Sequence, residues 1–345
     1  MKIKTKGEIM NNFKKVGLTA LAGSLAAVSA NAAEMTVSGA TLLTYTSEDP
    51  TETTGNPYGM KTNLGFTASG EVNGYTVSYM QTSKDQFAGM SSARLSIDMG
   101  DMGTLAFDQG SGSGLATIDD KTPTAAEEIW DGIDTAATTG PEGLVGAAGN
   151  SGVWNYVQSM GGVTFNAAAR KGSGAKNSDG SSSGVGQGAW DFALTGSGDS
   201  FGMDGLAWGI GYGEAENGTV ATAGVGDGGD DEHMTLFANY TIGPVTAGYQ
   251  VSNIDNGSGG ATDEAVDQWG IAFNVNDSLS LSYGERDVEF EKPSATNVTE
   301  NGEGIAIAYT MGSMKIAGNR NEVTNNGGTT ANNDAMTEIA LSFAF

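Results

Sequence analysis

The sequence predicts an all-β fold, a closed antiparallel transmembrane β-barrel of about 16 strands with a long, inward-folded third external loop. Three observations lead to this prediction. Segments of about ten residues recur along the chain with large apolar side chains at every second position. Short turns alternate with long polar connections, which is typical of outer-membrane barrels. The final segment, Ile339–Phe345, keeps the alternation and stops on an aromatic side chain.

The N-terminal residues predict a secretory signal peptide. Two lysines precede a short apolar run, and Ala30-Asn31-Ala32-Ala33 then supplies small residues for cleavage. A membrane anchor or a core helix is the alternative, but the run is shorter than the ~20 residues that span a bilayer, and the small residues at its end favour cleavage. We therefore expect a cleaved signal peptide at 1–33, with Met10 as an alternative start, and a single barrel domain at 34–345.

The predicted strands follow one another with small or polar side chains on the face opposite the apolar one. This second face is too small for the interior of a packed β-sandwich and suits a water-filled lumen. The strands are expected at 36–42, 63–68, 75–79, 94–99, 104–108, 151–158, 163–167, 190–194, 206–212, 234–242, 245–251, 269–275, 279–283, 305–311, 314–323 and 339–345.

Aromatic side chains of the apolar phase predict lipid-facing girdles, because tyrosine and tryptophan favour the membrane interface. An ordinary hydrophobic core is the alternative for the same pattern. The residues concerned are Tyr75, Tyr79, Trp190, Trp208, Tyr212, Tyr240, Tyr249, Trp269, Tyr283 and Tyr309.

The longest connection, 111–150, follows the fifth predicted strand. Thr124-Ala125-Ala126-Glu127 has the spacing of a capping box and predicts a short helix. Apolar residues such as Leu115 and Trp130 would let the loop pack inside the barrel and narrow the pore, whereas a mobile acidic surface loop is the alternative. Its acids are candidate constriction residues: Asp119, Asp120, Glu127, Glu128, Asp131 and Asp134.

The basic residues of the predicted strands complement these acids. Alternation places Arg94, Arg170 and Arg286 on the polar face, and Lys61 shares that phase. A base facing lipid near the bilayer midplane costs ~2–4 kcal/mol, so we expect these side chains on the pore wall. Opposed charges there would select ions by their field, although several acids could simply solvate the loop.

Composition excludes several functions. The chain carries 41 acidic and 16 basic residues, a net charge of −25, which argues against a nucleic-acid partner because phosphate binding needs positive charge. Cysteine is absent, His233 is the single histidine, and no catalytic triad or zinc-ligand spacing is present. The sequence therefore predicts neither an enzyme nor a bound cofactor.

A second acidic segment is a candidate Ca²⁺ site, since hard oxygen ligands beside glycine turns suit that ion. It lacks the spacing of an EF-hand loop, so a solvated surface loop is the alternative. The candidate ligands are Asp227, Asp230, Asp231 and Glu232.

Taken together, the chain resembles the Gram-negative general porins, particularly the alphaproteobacterial type. The resemblance rests on the Ala30–Ala33 signal ending, the hairpin Gly100–Asp108 that leads into the long loop, and the terminal Phe345. It implies a homotrimer of 16-stranded barrels in outer-membrane lipid, with the third external loop facing basic wall residues. The acids of 119–134 would then face Lys61, Arg94 and Arg170, although the chain has few arginines for this family.

The resemblance also implies a role for the terminal aromatic residues. In such families the last aromatic side chain is recognised by the barrel-assembly machinery, and Phe343 and Phe345 fit that role. The expected function is passive diffusion of small hydrophilic solutes and ions through an outer-membrane channel with a preference for cations. Rival functions are a substrate-specific channel, a non-conducting barrel acting as adhesin or structural anchor, and a secreted soluble β-protein such as an enzyme.

Overall fold

The computed structural model describes residues 34–48, 55–84, 90–133, 143–148, 151–171, 188–216, 229–257 and 262–345. Sixteen antiparallel strands pair in chain order and close into a barrel, which confirms the predicted fold. The predicted signal peptide lies outside the described residues. Within the described ranges, no helix is long and apolar enough to cross a membrane.

The strands extend beyond the segments that alternation predicts, mostly toward the long connections. They are β1 (Glu34–Glu48), β2 (Tyr58–Val72), β3 (Tyr75–Lys84), β4 (Met90–Asp98), β5 (Thr104–Gln109), β6 (Ser151–Met160), β7 (Val163–Arg170), β8 (Ala189–Ser197), β9 (Leu206–Ala215), β10 (Asp231–Ile242), β11 (Val245–Asp255), β12 (Asp263–Asn274), β13 (Leu279–Glu291), β14 (Val298–Met311), β15 (Met314–Thr324) and β16 (Asp334–Ala344).

Tight turns join the strands at one end of the barrel. Between β2 and β3 the turn is Asn73-Gly74, with φ angles of 53° and 84°. Positive φ at both central residues matches the twist of an antiparallel hairpin, and Asn-Gly is the pair that adopts it at least cost. The long connections, including the one after β5, therefore gather at the opposite end.

The first and last strands close the barrel. β1 pairs with β16 from Ala40 opposite Ala344 to Glu48 opposite Met336. Beyond that ladder, the backbone N–H of Gly39 donates to the carbonyl of Phe345 at 2.9 Å, and the N–H of Phe345 donates back at 2.9 Å. The Phe345 ring lies on Gly39, where an added Cβ would come within 2.7 Å of it. Closure leaves no unpaired strand edge, as a membrane barrel requires.

Large apolar side chains cover the outer surface of the barrel. Leu43, Leu236 and Ile307 are examples of exposed residues that alternate with inward-facing ones along their strands. The predicted girdle aromatics share this outward phase, as the strand registers show. The outer wall is thus apolar and rich in aromatic side chains, as a lipid-facing surface is.

Hydrogen bonds between aromatic side chains and carboxylates mark one border of this apolar band. The Tyr212 hydroxyl donates to Glu214 at 2.9 Å. Similarly, Tyr283 Oη donates to Glu285 at 2.5 Å, and Trp269 Nε1 donates to the same carboxylate at 3.2 Å. Tyrosine and tryptophan favour positions with one apolar and one wet side, so the membrane interface lies at this level.

Candidate functional site

Residues 110–133, here called the inner segment, lie against the inner face of the barrel wall. Gln250 points inward from β11, because its neighbour Tyr249 is exposed on the outer face, and it is fully buried. Its amide nitrogen donates to the carbonyls of Ile118 and Asp119, both at 2.9 Å. Its amide oxygen accepts the backbone N–H of Lys121 at 2.7 Å. One wall side chain therefore satisfies successive backbone groups that have no strand partner.

Further polar side chains attach the inner segment to other strands. Asn321 on β15 donates to the carbonyls of Glu128 and Asp131 at 3.1 and 2.9 Å. On β13, Ser282 accepts the N–H of Ala125 at 2.9 Å. These anchors were missed at the sequence level, although an amide in the inward phase of a strand is a signal that could have found them.

Asp191 on β8 anchors both the start of the connection and its return. Its two carboxylate oxygens accept the backbone N–H groups of Leu115 at 3.0 Å and of Ala148 at 2.8 Å. His233 on β10 accepts the N–H of Gly146 at 3.3 Å, so the single histidine also holds the returning part of the connection. Both ends of the connection are therefore held by side chains of the wall.

Apolar contacts reinforce this attachment. Leu115 and Ile118 are buried with Phe237, a side chain that points inward from β10. Ala126 packs against small alanines of β14 to β16, and Ile133 packs against Met336. Wall glycines make room for the segment, because a Cβ on Gly211 would come within 2.3 Å of Leu115. Leu115, predicted as an anchor, is therefore buried between the loop and the wall, as are Ile118 and Ile133.

The prediction of a short helix at Thr124–Glu127 is wrong. The described loop contains only a short 3₁₀ turn, Gly114–Thr117. Thr124 does not cap a helix; its hydroxyl donates to the carbonyl of Glu127 at 2.7 Å. The wall satisfies the backbone of this stretch through Ser282 and Asn321, so intrahelical hydrogen bonds are not needed.

The acids of the inner segment are close together and partly buried. Burial, the charge of Glu128 and a hydrogen bond with that carboxyl group raise the pKa of Asp120 to about 7. Burial is also the main cause that raises the pKa values of Asp119, Glu127 and Asp131. A freely solvated loop would not produce these shifts. Asp134, the remaining predicted acid, lies outside the described residues.

Two lysines of the wall act on these acids. Lys61 on β2 and Lys315 on β15 both lower the pKa of Glu127, and Lys61 also lowers that of Asp131. Lys61 was predicted from its phase. Lys315 was missed, although it occupies the inward phase between Met314 and Ile316. A cavity of about 240 Å³ lies between both lysines and Glu127.

The predicted arginines face inward, but they contact the inner segment and other wall residues. Arg94 donates to Asn155, and to Ser111 Oγ and the Gly112 carbonyl at 3.5 Å each, at the start of the inner segment. Arg170 lies at the end of β7 and acts electrostatically on Asp191.

Arg286 differs from its expected role on the pore wall. It is 2 % exposed, lies 3.3 Å from Glu300, and stacks its guanidinium 4.9 Å from the centre of the Trp130 ring. Because the inner segment covers this ion pair, Arg286 does not face passing solutes.

The candidate calcium ligands that the structure describes, Asp230, Asp231 and Glu232, do not form a metal site. Asp231 accepts the N–H of Gly257 at 3.0 Å. Glu232 is the next residue of the same strand, so its side chain points to the opposite face. Asp227 lies outside the described residues. In the part of the chain that the structure describes, no three histidine or carboxylate side chains are grouped to hold a metal ion.

Comparisons with known proteins agree with this architecture. The model of a family described as Gram-negative porin matches residues 17–345. OmpT of Vibrio cholerae, an outer membrane protein, is similar over 91 % of this chain and 98 % of its own, with 14 % identity and a TM-score of 0.62. No curated protein sequence matches significantly.

Two further solved structures are similar in fold. The anion-selective porin from Comamonas acidovorans has 14 % identity and a TM-score of 0.62, over 91 % of this chain and all of its own. A mutant of the Rh. blastica porin has 12 % identity and a TM-score of 0.60, over 90 % of this chain and 100 % of its own. At these identities the similarity establishes the fold alone.

Proposed function

Because the chain belongs to the Gram-negative porin family of the outer membrane, we propose that it is a passive diffusion channel in which the inner segment sets the size limit for solutes. One observation carries this proposal. The inner segment is hydrogen-bonded to inward-facing side chains of β8, β11, β13 and β15, so it occupies part of the lumen cross-section. The rest of the lumen is proposed to form a water-filled passage beside the charged groups of the segment and the wall.

The channel is proposed to prefer cations. Five described acids of the inner segment point to this preference, together with Glu338, which accepts from the Thr46 hydroxyl on the inward face of β16 at 3.4 Å. Among the described residues, the lysines that interact electrostatically with these acids are Lys61, Lys121 and Lys315. The Comamonas protein, which has a similar fold, is described as anion-selective, so the proposed cation preference rests on the charges of this chain and not on the fold.

Reversal potentials in planar bilayers under a KCl gradient test the preference. The measurement belongs at 0.1 M salt or below, because the Debye length is ~10 Å there and shrinks to ~3 Å at 1 M. A potential of the sign that cation flow produces is expected. Clear anion preference would contradict the assignment of the acids to the passage.

The assembled protein is proposed to be a homotrimer in outer-membrane lipid, without enzymatic activity. A trimer form is described for the Vibrio cholerae protein. Phe343 and Phe345 are proposed as the signal read by the barrel-assembly machinery. Phe345 supports the seam by its backbone pairing with Gly39.

Conductance of the purified protein tests the channel function itself. A gel shift between boiled and unboiled samples first establishes that the barrel is folded. Stepwise conductance that rises in proportion to KCl concentration is expected. A folded barrel without conductance would instead support an adhesin or a structural anchor. Flux that saturates with a single class of solute would support a substrate-specific channel.

A further inference from the structure

We infer that the cavity between Lys61, Lys315 and Glu127 is a binding subsite for small zwitterionic solutes, molecules that carry a carboxylate and an ammonium group a few bonds apart, as α-amino acids do. The inference rests on the proposed channel function, since the subsite lies in the passage. It assigns a class of solute to one place on the wall.

The cavity has the size and floor that such a solute needs. Its volume of about 240 Å³ is far above the ~10–15 Å³ that one water molecule needs, so a solute of several heavy atoms fits. Small apolar side chains of β1, β15 and β16 form the floor, Ala40, Ala317 and Ala340, together with Leu42 of β1. Asn63 and Ser342 add neutral polar groups at its edge.

The lysines are available to bind a carboxylate. Among the residues that the structure describes, the ion pairs within 4.0 Å are Arg286–Glu300 and Arg320–Glu322, and neither includes Lys61 or Lys315. Both lysines nevertheless attract the carboxylate of Glu127 electrostatically across the cavity. Opposite charges are therefore held apart with space between them, which a solute with two charged ends can bridge.

The surrounding charges favour a zwitterion over a simple ion. Lys61, Lys315 and Glu127 line the cavity, and Asp131 and Glu338 interact electrostatically with Lys61, so charges of both signs act on the cavity. A simple anion is attracted by the lysines and repelled by the acids. A simple cation is attracted by the acids and repelled by the lysines. A solute that presents its carboxylate to the lysines and its ammonium to Glu127 satisfies both sides.

Swelling of proteoliposomes that contain the purified full-length channel tests the inference. The probes are L-alanine and its uncharged isomer lactamide, which have the same atoms and nearly the same size, so sieving treats them alike. Solvent-exposed ion pairs contribute modest free energies, so alanine is expected to enter about two- to fivefold faster than lactamide. Lys61→Gln, Lys315→Gln and Glu127→Gln should each bring the ratio toward unity.

Two further variants make the result specific. Lys171→Gln removes an exposed lysine at the end of β7, outside the cavity, and should keep the wild-type ratio. Lys61→Arg restores the positive charge and should restore the preference for alanine. The gel shift on boiling verifies that each barrel is folded before its ratio is compared.

The remaining outcomes overturn the inference. An alanine-to-lactamide ratio that is unchanged in the three glutamine variants would remove the subsite. A ratio that falls in the lysine variants but not in Glu127→Gln would indicate an anion site. Absence of KCl conductance in a folded barrel would overturn the channel function itself, and the subsite with it, whereas a conducting channel without alanine preference overturns the subsite alone.

Discussion

Replacing Gln250 with leucine should loosen the inner segment while the barrel stays intact. The side chain is fully buried and bonds the Ile118 and Asp119 carbonyls and the Lys121 N–H. Leucine has a similar size but cannot replace these bonds. Each backbone group left unsatisfied away from water costs about 1–3 kcal/mol, so a single such group raises the detached population of the segment about 5- to 150-fold.

Proteolysis after Lys121 measures this detachment. The segment is attached to the wall at Lys121 through both its N–H and its carbonyl, so a lysine-specific protease should cleave there slowly in the wild type. Cleavage should accelerate in Gln250→Leu, and single-channel current should become noisier and larger. The unboiled gel band should remain, because the strand ladder of β11 is made by backbone groups.

Gln268→Leu is the matched control. Gln268 lies directly opposite Gln250 on β12 and is 1 % exposed. Within the described residues its amide atoms have no hydrogen-bond partner, so leucine there releases nothing from the wall. Equal cleavage rates at Lys121 in the two variants would refute the view that Gln250 holds the segment.

Three further predictions concern charge and assembly. Asp120 has a pKa of about 7 and gains its negative charge above that pH, so cation preference should rise as pH increases from 5 to 9. Reversal potentials of Asp120→Asn should not show this rise. A rise that persists in the variant would assign the pH dependence to other groups. Arg286→Leu removes the ion-pair partner of the buried Glu300 and should destabilise the barrel by about 3–5 kcal/mol, measured as a lower temperature for the gel shift. The double variant with Glu300→Leu should recover most of the loss, and equal midpoints for single and double variants would contradict the role of the pair. Phe345→Ala removes the ring that covers Gly39 at the seam and should lower the yield of folded barrel without changing the conductance of inserted channels. A changed conductance at normal yield would place Phe345 in the passage instead.

The strands were predictable because their signal is local. A residue such as Leu236 faces lipid and its neighbour Phe237 faces the lumen through the backbone geometry of the strand alone. Asn73-Gly74 likewise adopts its turn for reasons within the turn itself. The alternation of short and long connections then restricts the topology to neighbouring antiparallel pairs.

The site was only partly predictable because its contacts join residues that are far apart in sequence and meet inside the lumen. Phase alone places Lys61, Arg94 and Arg286 on the inner wall. Phase does not tell which of these bases faces water and which is covered. Arg286 is covered because it pairs with Glu300 and lies against the Trp130 ring. The helix at Thr124 failed for a related reason, since the competing hydrogen bonds come from a distant strand.

The sequence by itself determined the barrel class, the order of its strands and the acidic character of the longest connection, because alternation and turn chemistry act between neighbouring residues. Only the tertiary structure decided where that connection lies. Gln250 and Asn321 are far from it in sequence but meet its backbone when the wall curves round. The cavity beside Lys315 and Glu127 exists for the same reason, since its distances depend on barrel closure and not on local spacing.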